Sequence, residues 1–302
     1  MRKIIVIGEC CLNVIFRDDR PWRSMPGGVL LNAAASLGDN KLDASFVSEA
    51  ANDHVGDIIV NFLDGHNVTT RSIDRYTDGA TPSTLVFTSD HGEIIHKVRY
   101  TRYPEQSFDT IWPTIGPDDI VIFGESYSLD TRVRSRLFDI VRYAAERHAI
   151  IIYAPAIDGQ RISRITRVMP EILENLEIAD IIITDTANLS TIFNKTDDAA
   201  AYNDHISFYS YTHLNLNPVS GEIALRHRKN MVTANARMDN GSQCCMSAII
   251  AGVAAAIVNS GIMHGNIENL DDTMLNAIVR SAETWSDAAA QSIDNLAHLN
   301  IP

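Results

Sequence analysis

The chain has 302 residues, 45% of them hydrophobic and 21% charged, an ordinary globular composition and enough chain for about two domains, or one large α/β domain with an appendage, without a disulfide or metal staple. Lys plus Arg is 25 and Asp plus Glu is 38, a net charge of −13. That sign excludes the basic footprint of a general nucleic-acid binder and docking on anionic membranes, although a local helix N-terminus can still take an anion.

The first apolar run, residues 4–7, is too short for a signal peptide. The longest, residues 246–258, is shorter than the roughly 20 residues of a spanning helix. A soluble, cytoplasmic protein is expected, with no nucleic-acid or membrane partner. Ile4-Ile5-Val6-Ile7 closed by Gly8 reads as a strand buried on both faces, as in a parallel sheet. Residues 13–16 are a short strand candidate. Pro26-Gly27-Gly28 breaks the pattern before a helix over 30–37, which Gly38 closes. Residues 44–47 suit a second strand. Residues 53–63 suit a helix with Val55, Ile58, Ile59 and Phe62 on one face, ended by Gly65.

Between 83 and 100 the pattern changes. Residues 84–88, the turn Ser89-Asp90-His91-Gly92 and residues 93–100 read as a β-hairpin. With 13–16 this predicts a small sheet apart from the main one. Strand and helix then alternate. Strands are expected at 119–123, 149–153, 181–183, 206–211 and 222–226. Helices are expected at 131–147, with Val133, Leu137, Ile140, Val141 and Ala144 on one face, and at 165–173, kinked at Pro170. A long apolar helix runs from Gly241 to about Asn259, and 272–296 is mostly helix. Arg226-His227-Arg228-Lys229 reads as a solvated loop. The alternation predicts a doubly wound, largely parallel sheet with no internal repeat or low-complexity tract.

Gly27-Gly28 followed by Asn32 lets backbone approach a ligand at a helix start. Asp239-Asn240-Gly241-Ser242-Gln243-Cys244 opens the apolar helix, where free N–H groups suit an anion. The plainer reading is that Asp239, Asn240 or Ser242 caps that helix. The ten histidines show no paired zinc-hydrolase spacing. The nucleophile elbow, the Walker loop and the dinucleotide fingerprint are all absent. Cysteines occur as two adjacent pairs, Cys10-Cys11 and Cys244-Cys245, without C-x-x-C spacing. They read as reduced, buried, small apolar residues.

In order and spacing, these pieces resemble the ribokinase-like sugar kinases of the PfkB carbohydrate kinase family over nearly the whole chain. Residues 4–9 look like the family's first strand and its Gly-Glu. Pro26-Gly27-Gly28-Val29-Leu30-Leu31-Asn32-Ala33-Ala34 is similar to its Gly-Gly-x-x-x-Asn-x-Ala sugar-side motif. Asn52-Asp53-His54-Val55-Gly56 is similar to a Gly-x-Asp-x-x-Gly signature that has lost its first Gly to Ala51, and Gly65-His66-Asn67-Val68 with Arg71 fits the segment after it. Residues 81–100 fit the lid hairpin, and Phe123-Gly124-Glu125 fits a strand end that carries a sugar-binding Glu in some members. The resemblance implies one ribokinase-like α/β domain over 1–302, a mostly parallel sheet flanked by helices, with lid strands from about 11–25 and 80–103 inserted in it.

The implied reaction is transfer of the ATP γ-phosphoryl to a sugar hydroxyl with Mg2+, using an Asp base and a backbone anion hole. The implied sugar side is Asn13, Gly27, Gly28, Asn32 and Glu125, with Asn13 standing where the family has Asp. The implied phosphate side departs from the family. Gly-Ala-Gly-Asp reads Gly241-Ser242-Gln243-Cys244, so the base position is Cys244 and Gln243 fills a glycine's place. Asn-x-x-Glu reads Asp185-Thr186-Ala187-Asn188. Asp-Pro-Asn reads Ala154-Pro155-Ala156. The nucleotide-side Thr-x-Gly aligns with Ser210-Tyr211-Thr212-His213, where Tyr211 or His213 would crowd an adenosine phosphate. Loss of a general base costs roughly 10²–10⁴-fold. The expectation is a kept fold with lost or impaired phosphotransfer and retained sugar or polyol binding. One alternative is an active kinase using ATP and Mg2+ with Asp239 as a relocated base and Asp185 serving the metal. Another is a redox or metal site joining Cys10 or Cys11 to Cys244 or Cys245 at the sheet's crevice. Some members of the family pair lid to lid, which implies a possible homodimer.

Overall fold

Alternate residues of each central strand enter opposite cores, and this sets the architecture. In β1 (Lys3–Ile7), Ile4 and Val6 join one apolar cluster while Ile5 and Ile7 join the other. The computed structural model describes residues 2–89, 94–105, 108–159, 161–237, 242–292, 294 and 296–299, with 242–245 by backbone alone.

In chain order β1 is followed by β2 (Cys11–Arg17), β3 (Arg20–Gly27), α1 (Val29–Asp39), β4 (Asp43–Ala51), α2 (His54–Gly65), β5 (Thr69–Tyr76), β6 (Ala80–Thr88) and β7 (Ile94–Arg102). Then come β8 (Ile120–Gly124), α3 (Arg134–Glu146), β9 (Ile150–Ala154), α4 (Met169–Ile178), β10 (Ile181–Asp185), α5 (Thr186–Phe193) and the single turn α6 (Asp198–Ala201). The last are β11 (Thr212–Leu216), β12 (Glu222–His227), β13 (Asn230–Asn235), α7 (Ser242–Asn259) and α8 (Asp272–Ala290).

Nine strands form the main sheet in the order β13-β12-β11-β10-β9-β8-β1-β4-β5. From β11 to β5 every pairing is parallel, and the β12 and β13 edge is antiparallel. The chain winds outward from β1 through β4 to β5, then returns beside β1 as β8 and winds the other way. The switch point is therefore between β1 and β8, where an open α/β sheet leaves a crevice at the carboxyl ends of its strands. One face packs on α1, α7 and α8 and the other on α3 and α4. A separate sheet, β3-β2-β6-β7, joins β2 and β6 in parallel and the other neighbours antiparallel.

The mixed α/β fold and its mostly parallel sheet follow the expectation, and several details correct it. Pro170 occupies the first turn of α4, where its missing N–H breaks no bond, so it starts the helix and puts no kink in it. Residues 206–211 are not a strand: Tyr202–Ile206 is a helical turn, and β11 begins at Thr212. Only the second half of the basic run, Arg228-Lys229, is the exposed turn expected. Arg226 and His227 end β12, Arg226 Nε donates to Asp198 Oδ2 at 2.8 Å, and His227 is buried beside Thr212 Oγ1 at 2.9 Å. The last helix stops at Ala290. The turn at 90–93 lies outside the described residues. Among the described residues, no helix is long and apolar enough to cross a membrane.

Gly38 lets α1 meet the chain after α2, because a Cβ there would lie 2.1 Å from the His66 carbonyl oxygen. Gly38→Ala should cost about 2–3 kcal/mol, whereas Gly65→Ala, with open space around it, should stay within about 0.5 kcal/mol. Urea unfolding of both variants checks this, and equal midpoints would refute it.

Candidate functional site

Helix α1 starts without a side-chain cap, because its N-cap is Gly28. Its first free N–H, on Val29, donates to Glu125 Oε1 at 2.8 Å. Glu125 follows Gly124 at the end of β8, with φ 52°. Burial, and then the neighbouring charge of Glu9, push its carboxyl up to about 7, and the Val29 N–H pulls against that shift. Glu125 thus binds a helix N-terminus at the switch point, and it also lines a cleft of about 670 Å³.

The cleft is floored by the carboxyl ends of β1, β8, β9 and β10 and roofed by the small sheet. Asn13 sits mid-roof, in register with Met25 on one side and Thr84 on the other. Its amide lies against Gly27, where any Cβ would come within 2.0 Å of Nδ2. Gly28, with φ 141°, brings the backbone to the Glu9 carbonyl, which a Cβ would meet at 2.4 Å. Asn32 also lines the cleft, and its Oδ1 is buried without a hydrogen-bond partner among the described residues. The structure thus brings Asn13, Gly27, Gly28, Asn32 and Glu125 to one cavity.

Asp185 and Asn188 line the other end of the cleft. Asp185 caps α5, accepting from Asn188 N at 2.7 Å and Asn188 Nδ2 at 2.8 Å. Asn188 Oδ1 accepts from Ile157 N at 2.7 Å. The pair clamps the segment after β9 to α5. Ala154, Pro155 and Ala156 line the same end and contribute no side-chain oxygen. A hard divalent cation takes about six oxygens, and no group of three or more His, Cys, Asp or Glu among the described residues could hold a metal ion. Mg2+ is usually held by one or two carboxylates together with waters and substrate phosphates, and Asp185 could supply one such oxygen at this end of the cleft.

Asp239 and Gly241 lie outside the described residues, as do the side chains of Ser242, Gln243, Cys244 and Cys245. The backbone of 242–245 opens α7, whose Met246 and Ile250 reach the cleft. Residues 210–213 do not border the cleft. They lie at the amino end of β11, the opposite end of the sheet, and His213 is fully buried with Nε2 2.7 Å from Thr184 Oγ1. Burial, reinforced by Arg226, lowers its pKa to about 3. The turn at the carboxyl end of β11 is 217–221, closed by Gly221 at φ 77°. Its Asn217-Pro218 start was the available signal.

Cys10 and Cys11 are free and buried. Burial pushes the Cys10 thiol up to about 12 and raises that of Cys11 as well. Thiols held protonated in this way are poor nucleophiles and poor metal ligands, which argues against the redox or metal reading for this pair. An ion-pair network, by contrast, is not foreshadowed in the sequence. Glu9 Oε1 accepts from Arg99 at 2.5 Å and Tyr103 at 3.0 Å, and Glu9 Oε2 from Arg161 at 2.6 Å. Asp130 binds Arg161 and Arg132, Arg132 reaches Glu49, and the Arg132 guanidinium stacks 3.3 Å from the Tyr103 ring. The members come from six strand ends and loops, so no spacing announces them.

Comparison with known proteins agrees with this geometry. The family model described as pfkB family carbohydrate kinase matches residues 1–207. No curated protein matches the chain by sequence. Among solved structures, a fructokinase double mutant from Vibrio cholerae O395 in fructose-, ADP- and potassium-bound form superposes with a TM-score of 0.83 at 14% identity, covering 99% of this chain and 95% of that one. Aminoimidazole riboside kinase from Salmonella enterica, complexed with aminoimidazole riboside and an ATP analogue, gives 0.81 at 13%, covering 98% and 96%. A fructokinase with bound ATP from Xylella fastidiosa gives 0.78 at 17%, covering 96% and 92%. At these identities the likeness is one of fold.

The raised Glu125 carboxyl makes stability depend on pH. The unfolded chain releases this proton near 4.5 and the folded one near 7, so the group's contribution is complete below 4.5 and is lost as pH rises through 7. Urea titrations from pH 4 to 8 should show Glu125→Gln gaining on the parent by up to about 3 kcal/mol. Parallel profiles would overturn the assignment.

Proposed function

We propose that this chain, which belongs to the pfkB family of carbohydrate kinases, binds a sugar or polyol beneath its lid and has lost or impaired ATP-dependent phosphotransfer. The observation that carries this reading is the contrast between the two ends of one cleft. At the lid end, Gly27 and Gly28 admit close backbone approach, and the buried Asn32 Oδ1 lacks a donor, which a ligand hydroxyl supplies. At the other end, Asp185 is committed to capping α5 and Ala154 and Ala156 carry no ligand oxygen. Cys244 at the base position adds the loss of the carboxylate that would accept the hydroxyl proton.

A second reading is an active kinase with Asp239 as base. It is favoured by the nucleotides in the similar structures: ADP in the Vibrio fructokinase, an ATP analogue in the Salmonella kinase and ATP in the Xylella fructokinase. Melting curves with Mg-ATP, ADP and a sugar panel, each alone, together with a coupled assay for ADP release, separate the two. A ligand at about 100 times its Kd stabilises by about 2.7 kcal/mol. The proposal expects a shift with a sugar that Asn32→Ala abolishes, and ADP release at least about 10²-fold below an ordinary kinase turnover. Ordinary turnover that Asp239→Asn removes would establish the second reading instead.

The lid leaves Trp22, Ile95 and Tyr100 exposed, and we propose that a second copy covers them. Light scattering should then give twice the 33.4 kDa chain mass, falling to one chain mass in Ile95→Glu. A monomeric parent would refute it.

A further inference from the structure

Three parts of the chain meet at the Asp39 carboxylate. Asp39 ends α1, His66 follows α2, and His298 lies in the segment after α8. That segment is docked on α1. Asn40 Nδ2 donates to the Ala297 carbonyl at 2.7 Å, Leu299 N donates to Asn40 Oδ1 at 3.2 Å, and Ala297 N donates to Ser36 Oγ at 3.1 Å. Leu296 and Ala297 are fully buried. His298 itself is half-exposed and stands between two carboxylates, with Nδ1 3.0 Å from Asp39 Oδ2 and Nε2 2.9 Å from both oxygens of Asp294. A neutral imidazole carries one N–H, so it serves one carboxylate and turns a lone pair to the other. The imidazolium donates to both. His66 sets the same condition. Its Nδ1 lies 2.6 Å from the Phe62 carbonyl oxygen, which only accepts, so the neutral ring keeps its hydrogen there and faces Asp39 Oδ2 with a bare Nε2 at 3.8 Å. Burial raises the Asp39 carboxyl, His66 and His298 draw it down, and Asp294 pushes it up. Burial also pushes on Asp294, but hydrogen bonds from Ser292, the Leu296 N–H and His298 outweigh it and leave that carboxyl below the ordinary value.

We propose that His298 is a pH-operated clasp: protonated, it holds the segment after α8 on the end of α1 through Asp39, and on losing its proton to solvent it lets that segment loosen. The groups that face it are Asp39 from α1 and Asp294 from its own segment, with His66 from the end of α2 on the far side of Asp39. Protonation gives the docked segment a second donor that a detached segment has no use for. Docking is therefore favoured on the acid side and weakens across about pH 5 to 8, where histidine changes charge. The clasp grips the end of α1 opposite Gly28 and Asn32, about 16 Å along an 11-residue helix, so it stands apart from the ligand reading.

Amide hydrogen exchange tests the proposal in the parent, His298→Gln and Asp39→Asn, from about pH 5 to about pH 8. Protection of Ala297 and Leu299 is corrected for intrinsic rate and read against Ile5 in β1, whose exchange follows global stability. In the parent the ratio should fall roughly fivefold as pH rises, the upper worth of a half-exposed ion pair, and the fall should shrink in high salt. His298→Gln should give a flat profile. Asp39→Asn keeps the ring and removes the charge it docks on, so it should flatten the profile as well, whatever the stability of His298→Gln. A parent ratio that does not change with pH, or either variant retaining the parent's fall, would overturn the proposal.

Discussion

The contact between the Glu125 carboxylate and the first N–H of α1 decides where everything else in the cleft can be. A helix beginning at glycine has no side chain with which to satisfy its leading N–H groups, and here the missing acceptor comes from the neighbouring strand. The bond ties β8 to α1 across the switch point. It thereby holds Gly27, Gly28 and Asn32 over the carboxyl ends of the central strands. The arrangement is costly for a carboxylate, which is why burial drives Glu125 toward its neutral form. A folding stability that depends on pH is the consequence of using an acid as a helix cap where burial disfavours its charge.

The lid is held by charge where the sheet is held by apolar packing. Glu9, at the end of β1, takes one arginine from the lid strand β7 and another from the segment after β9. Removing one partner of such a half-buried cluster leaves the others uncompensated, so the network fixes the lid's position over the cleft more than it adds stability. It also commits Arg99 and Arg161 to Glu9.

Strands with a continuous isoleucine run were legible from sequence, because burial on both faces leaves no polar alternation to misread. Residues 4–7, 149–153 and 181–183 are cases. The strands β3, β5 and β13 were not, since each is partly exposed and mixes charges with apolar residues. The start of β11 was missed for a different reason: Tyr211 and His213 look polar, yet His213 is buried against Thr184 and Asp198, a pairing between strands that local pattern does not encode. At the site, glycine and asparagine spacing pointed to the lid end of the cleft because backbone approach demands particular residues there. The ion-pair network assembles residues from distant segments and left no trace in the sequence.

The parallel pairing of β2 with β6 has a consequence for how the molecule assembles. It sets Leu12 beside Ser83, about seventy residues away, while β1, β4 and β5, which all precede β6, pair over shorter separations. Closing so long a loop is slow and gains little until its ends are already close. Pairing of β1, β4 and β5 brings those ends together, so the roof builds on that half of the main sheet. The floor needs a still longer closure, Ile4 beside Ile120, so the cavity is complete only when both distant pairings are made, and ligand recognition waits on the most non-local contacts in the chain.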